Sequence, residues 1–217
     1  MPIITNQATL RTSVADWLNR TDLTDNQLDQ FIEMGEAKVY EILRVPPLEV
    51  SESFTVLTSN SSLAIPSRFI EAIELKKTES AKDDDIVLSR IDEKAFSNSK
   101  IKNAYIRVGS SLLLTDSDGE QKAAGTYTLR YYRADESIGT TSGSPAVEVT
   151  TQYILGTEYE VSLFAALSVA YLFLGDNESE QKYNELFLRK INSLNVKERN
   201  ASLKGGSFSA VYSAQGI

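Results

Sequence analysis

The chain has 217 residues, 41% hydrophobic and 24% charged, with 22 basic against 30 acidic side chains for a net charge of −8, and neither cysteine nor histidine. This length accommodates one domain with an elaborate insertion, or two small ones. Without thiols or imidazoles, structural zinc, disulfides, thiol catalysis and a Ser-His-Asp triad are excluded, so only carboxylates, lysine or tyrosine could carry catalysis. The basic residues are dispersed, and Lys76-Lys77 is soon followed by Asp83-Asp84-Asp85. Gripping of nucleic-acid phosphates is therefore disfavoured, while passage of DNA nearby is not.

The opening Met1-Pro2-Ile3-Ile4-Thr5 lacks the charged region and long apolar run of a secretory signal. Leu10, Val14, Trp17 and Leu18 recur at helical spacing until Asn19-Arg20-Thr21-Asp22 breaks the pattern. Thr24 opens a second helix, with Gln27 completing a capping box and Leu23 and Leu28 at the staple positions. Leu28, Phe31, Ile32, Val39, Ile42 and Leu43 share one face, and Pro46-Pro47 stops the helix. Residues 1–48 thus predict a helical hairpin.

Residues 49–136 read as β-rich. Phe54, Val56 and Leu63 flank a turn at Thr58 to Ser62, and apolar and acidic residues partly alternate from Phe69 to Leu75. Tyr105 to Val108 and Leu112 to Leu114 flank a tight turn at Gly109-Ser110-Ser111, and Thr126 to Tyr132 is the clearest strand. A short helix carrying Phe96 is predicted between Asp92 and Lys100. Residues 137–149, with Gly139 to Ser144 at their centre, predict a flexible connector. Residues 150–202 predict a second helical hairpin. Its first helix covers Ile154 to Leu174, Gly175-Asp176-Asn177 turns the chain, and its second helix carries Tyr183, Leu186, Phe187, Ile191 and Leu194. The apolar stretch Val161 to Leu174 is 14 residues long and holds two serines, too short to span a bilayer, so a buried core helix is expected.

The order helices, strands, helices predicts an α+β fold that is mainly α: a bundle of about four helices with an inserted β-rich region. Residues 203–217 leave globular patterning. Gly205 and Gly206 form a hinge that releases an extended arm, on which Phe208, Val211, Tyr212 and Ile217 are spaced as anchors for a partner's groove. Fully extended, that arm would reach roughly 50 Å.

Chemistry-bearing motifs are weak. Asp83-Asp84-Asp85 reads as a solvated loop. Asp116-Ser117-Asp118-Gly119 begins like a calcium loop, but the twelfth position is Tyr127 where a bidentate glutamate is required, so it reads as a hairpin turn. Arg130, Arg133 and Tyr131-Tyr132 could stack on bases, yet strand alternation sends half of such a set into the core. No phosphate-binding loop, dinucleotide fingerprint or nucleophile elbow is present. No catalytic, metal or cofactor-binding residue is predicted.

Five segments, in order, resemble the head-to-tail adaptor (connector, or head-completion) proteins of tailed double-stranded DNA phages. Leu10 to Leu23 is similar to that family's first helix and turn, and Gln30 to Arg44 to its second helix. Leu63-Ala64-Ile65-Pro66-Ser67-Arg68-Phe69 resembles its Leu-Pro-x-x-Phe strand entry, and Thr128 to Arg133 the strand that returns to the bundle. Tyr159 to Leu174, then Gly175 to Glu178 and Tyr183, resembles its paired last helices. The resemblance implies twelve copies ringed beneath the portal, in the virion neck, assembled in the host cytoplasm. The arm would run against the portal protein, and the far end would meet tail or nozzle proteins. DNA would pass through unbound; no membrane, cofactor or catalytic residue is implied. An acidic ring suits such a conduit, since twelve copies carry about a hundred negative charges and like charge lets DNA slide; its lumen is expected to be mainly acidic or small. Two other classes stay open: a monomeric binding module using the β-rich insertion, and a carboxylate-dependent tail-associated hydrolase.

Overall fold

The computed structural model describes residues 4, 6–57, 62–78, 85–98, 101–116, 124–136, 141–142, 147–148 and 152–203. In chain order the elements begin with α1 (Gln7–Leu18), α2 (Asp25–Ile42), β1 (Glu49–Val56), β2 (Ser62–Ala64), β3 (Phe69–Thr78), β4 (Asp85–Val87) and β5 (Ser89–Arg90). They continue with α3 (Glu93–Asn98), β6 (Ala104–Val108), β7 (Ser111–Leu114), β8 (Gly125–Arg133), β9 (Thr141–Ser142), β10 (Val147–Glu148), α4 (Tyr153–Leu174) and α5 (Asn177–Leu203). They form two units, residues 1–47 with 137–217, and residues 48–136.

In the helical unit, α1 starts at Asn6, whose side chain accepts from the Thr9 N–H at 3.0 Å while the Thr9 hydroxyl accepts from the Asn6 N–H at 3.1 Å. It ends at Asn19, in the left-handed region at φ 50°. The predicted box opens α2: the Gln27 N–H donates to Thr24 Oγ1 at 3.3 Å and the Thr24 N–H to Gln27 Oε1 at 2.9 Å. Leu28, Phe31, Ile32, Val39 and Leu43 are buried, as their spacing predicts.

Every residue of α4 from Val161 to Ala170 is buried, and α1, α2 and α5 all pack on this helix. With 22 residues, α4 exceeds the 14-residue apolar stretch and is long and apolar enough to cross a membrane by length and composition. In the fold it is the core of the helical unit. Its backbone departs from helical angles at Glu158 (φ −147°, ψ 66°). The α4–α5 turn needs Gly175 at φ 74°, which lets the Asp176 N–H reach the Tyr171 carbonyl at 3.0 Å. Asp176 then caps α5 by accepting from the Ser179 N–H at 3.1 Å, and hydrogen bonding from the Ser179 hydroxyl and then from its N–H holds the Asp176 carboxyl below the usual range.

This arrangement overturns the expectation of a mainly α fold built on a helical bundle. Among the described residues 52% are helical and 28% are strand, the latter chiefly in two multi-strand sheets, so the fold is α+β. A bundle asks each helix for one apolar stripe around a shared centre. Here the stretch of α4 from Val161 to Ala170 is buried on all sides and is itself the centre, which is the behaviour of a core helix segment.

One amide joins the end of α2 to α5. The Arg44 N–H donates to Asn195 Oδ1 at 3.0 Å, and Asn195 Nδ2 donates to the Ile42 carbonyl at 3.2 Å. The carbonyl belongs to the last turn of α2, where no intrahelical donor exists. Asn195→Leu is expected to lower stability by about 1–3 kcal/mol, because both backbone groups lose their partner. Asn195→Asp keeps the acceptor and should cost less; chemical denaturation followed by circular dichroism measures both.

In the β unit, one sheet has the order β1-β8-β3-β4 with all pairs antiparallel, and the other β2-β7-β6-β5 with β5 parallel to β6. Tyr127, Leu129 and Tyr131 alternate inward from β8. They share one core with Val56, Leu63, Leu75, Leu88, Tyr105, Leu112 and Leu114, drawn from both sheets. The alternation on β3 is imperfect because register shifts fall between Phe69 and Glu71 and between Ala72 and Glu74. The β6–β7 hairpin pairs Val108 with Ser111, leaving Gly109 at φ 57° in a two-residue loop where a side chain would be strained. Of the expected connector, 137–149, the described residues are the paired strands β9 and β10.

Candidate functional site

The arm anchors Phe208, Val211, Tyr212 and Ile217 and the hinge glycines Gly205 and Gly206 lie outside the described residues; α5 runs up to Leu203, just before them. Within the helical unit, a cleft of about 530 Å³ is lined by Ile4, Ser13, Asp16 and Trp17 on one side and Tyr159, Glu160, Leu163 and Phe164 of α4 on the other. Trp17, read from the sequence as part of an apolar helix face, is 37% exposed and forms the cleft wall. Its ring stands edge-on to Phe164 and to Tyr183, each at 6.1 Å between centroids, and Tyr183 in turn stacks on Tyr171 at 5.2 Å. The Tyr171 hydroxyl donates to the Trp17 carbonyl at 3.4 Å. Burial pushes the Tyr171 phenol up.

The cleft offers aromatic walls and an acidic rim. Glu160 is engaged by Lys190 from α5, and their hydrogen bond holds the ammonium above its usual range. The arrangement suits capture of an apolar side chain.

Two further ties position the helices. Arg11 forks onto Asp29, with Nε to Oδ1 at 2.9 Å and Nη2 to Oδ2 at 2.7 Å, joining α1 to α2. Lys38 reaches from α2 to Ser168 Oγ at 2.9 Å on α4 and to Asn184 Oδ1 at 3.1 Å on α5. Sequence reasoning missed both, since these partners are 18 to 146 residues apart and carry no local signal.

The β8 residues weighed for base stacking are otherwise employed. Tyr131 lies in the core and donates to Glu52 Oε1 at 2.9 Å, and Arg133 pairs with the same oxygen at 3.4 Å. Arg130 approaches Glu49 at 3.6 Å. Of the acidic runs, Asp85 begins β4 and Asp116 follows β7, whereas Asp83, Asp84 and residues 117–120 lie outside the described residues. Among the described residues no group of three or more carboxylates is placed to hold a metal ion.

No curated protein matches the chain. The SU10 adaptor protein family matches it over residues 5–208, a span that takes in nearly all of both units. With nearly the whole chain matched in this way, the protein belongs to the SU10 adaptor protein family.

Proposed function

We propose that this chain is a non-enzymatic structural adaptor in the neck of a tailed double-stranded DNA phage, joining the capsid to the tail. Twelve copies form a ring beneath the portal. The arm, through Phe208, Val211, Tyr212 and Ile217 beyond the Gly205-Gly206 hinge, docks on the portal protein, and the far end of the ring receives tail or nozzle proteins. DNA leaves through the ring without specific binding, past a lumen lined mainly by acidic or small residues. Residues 1–48 and 150–202 supply the helical body and 49–136 its β-rich insertion.

The observation that carries this reading is the family match across residues 5–208, which includes both units and not a shared fragment alone. The net charge of −8 agrees with a conduit that does not hold DNA. Deleting Lys204 to Ile217 tests the dock. Binding to purified portal rings is expected to weaken at least tenfold, about 1.4 kcal/mol or more. A shortened protein that binds portal with unchanged affinity would remove the arm from this role.

A further inference from the structure

The ring reading leaves open how one copy meets the next, and the helical unit carries two unlike outer faces that answer it. On α2, Gln30, Glu33, Met34, Ala37 and Glu41 are exposed at spacings of three and four, opposite the face that buries Leu28, Phe31, Ile32, Gly35 and Val39. Met34 is 56% exposed at the centre of that face. On α5, Lys182, Glu185, Leu188, Arg189, Asn192 and Val196 are exposed, opposite buried Tyr183, Phe187, Ile191 and Leu194. Leu188 and Val196 are 38% and 58% exposed.

The charges on these faces are of opposite sign. Several carboxylates and cations of the helical unit are already committed: Asp29 to Arg11, Asp22 to Arg20, Glu160 to Lys190 and Glu158 to Lys197. Among the described residues, Glu33 and Glu41 on α2 and Lys182 and Arg189 on α5 take part in no ion pair within the chain. Glu185 sits between the two cations and accepts from the Gln181 amide at 3.2 Å. Glu33 and Glu41 are separated by two turns, about 12 Å along the helix, and Lys182 and Arg189 by about 10 Å. Two antiparallel helices lying side by side can therefore pair Glu33 with Arg189 and Glu41 with Lys182 at once around Met34 and Leu188, with Val196 two turns beyond Arg189.

We propose that the α2 face bearing Glu33, Met34 and Glu41 docks against the α5 face bearing Lys182, Leu188 and Arg189 of a second copy of this chain. A contact between unlike faces is heterologous, and repeated by rotation it closes a ring. This inference rests on the ring reading above and adds the surfaces that make it. The charged pairs steer and register the contact; the three apolar side chains leave water when it forms.

Full-length protein mixed with purified portal rings tests this by native mass spectrometry. Wild type is expected to assemble as a ring. Glu33→Lys with Glu41→Lys, or Lys182→Glu with Arg189→Glu, should reduce assembly at least tenfold, and mixing the two doubly substituted chains should recover alternating contacts and hence oligomers. The absence of native cysteine permits a second readout. Glu33→Cys and Arg189→Cys chains should cross-link when mixed under oxidising conditions and stay uncross-linked alone. Rings that form normally from either charge-reversed chain, with no cross-link in the mixture, would overturn the proposed faces and leave the ring standing. A wild-type protein that stays monomeric on portal would overturn both. Far-ultraviolet circular dichroism of each variant separates a lost contact from a lost fold.

Discussion

Gly35→Leu is expected to abolish or severely weaken folding of the helical unit. Gly35 lies where α2 crosses α4, and a Cβ built there would stand 2.8 Å from the Ala166 nitrogen, 3.0 Å from its Cα and 3.1 Å from the Ala165 carbonyl carbon. All three are backbone atoms in the stretch of α4 that is buried on every side, so none can swing away as a side-chain end could. The helices would have to separate, which loosens Leu28, Phe31, Ile32 and Val39 against α4 together. Overpacking of this kind costs about 3 kcal/mol or more, a large share of a domain's usual 5–15 kcal/mol. Even Gly35→Ala should destabilise, although alanine is intrinsically the better helix former by about 1 kcal/mol. Gly156 supplies the contrast. It lies in α4, where a Cβ meets nothing within 4 Å, so Gly156→Ala should be neutral or stabilising by up to about 1 kcal/mol. Chemical denaturation of the three variants decides the matter; a Gly35→Leu protein as stable as wild type would mean the helices do not pack at this distance.

The same crossing explains why part of the fold could be read in advance and part could not. Local rules are legible where one residue needs only its near neighbours. The Thr24–Gln27 box and the Tyr127, Leu129, Tyr131 alternation both appear as the sequence implies. The box at Asn6 escapes notice because Thr9 replaces the usual glutamate or glutamine at its third position. Global arrangement is less legible. An apolar run such as Val161 to Ala170 shows that α4 is buried, but not that three other helices surround it in place of a shared centre. The β-rich span is likewise legible as strands, while the two register shifts on β3 and its separate core depend on pairing across the sequence. For the candidate site, the cleft formed around Trp17 depends on helix packing that brings residues near 17 and 160 together, a separation no local spacing encodes. The expected arm, with Phe208, Val211, Tyr212 and Ile217 as its anchors, is a reading from sequence spacing alone, and those residues lie outside the described ones.

The β unit should unfold cooperatively between about pH 10 and pH 12. Tyr127 is fully buried, and burial first, then the nearby Asp116 charge, pushes its phenol up to about 12. Burial also raises Tyr105, and it raises Tyr131, where the hydrogen bond to Glu52 adds to the effect. An unfolded tyrosine gives up its proton near pH 10. Above that pH the unfolded chain releases protons that the folded chain still holds, so unfolding becomes easier with each step. The stabilisation from Tyr127 is fully present below about pH 10 and is lost as pH rises to about 12, at about 1.4 kcal/mol per pH unit. Tyr105 and Tyr131 shift in the same direction, and together they give the β unit a steep alkaline limit. Tyr127→Phe should reduce the slope of stability against pH in this window by about 1.4 kcal/mol per unit and move the alkaline midpoint upward. Tyrosinate absorbance should rise together with loss of near-ultraviolet circular dichroism. If instead Tyr127 titrates near pH 10 while the dichroism is still native, its hydroxyl is reachable by water and the packing around β8 is looser than this core requires.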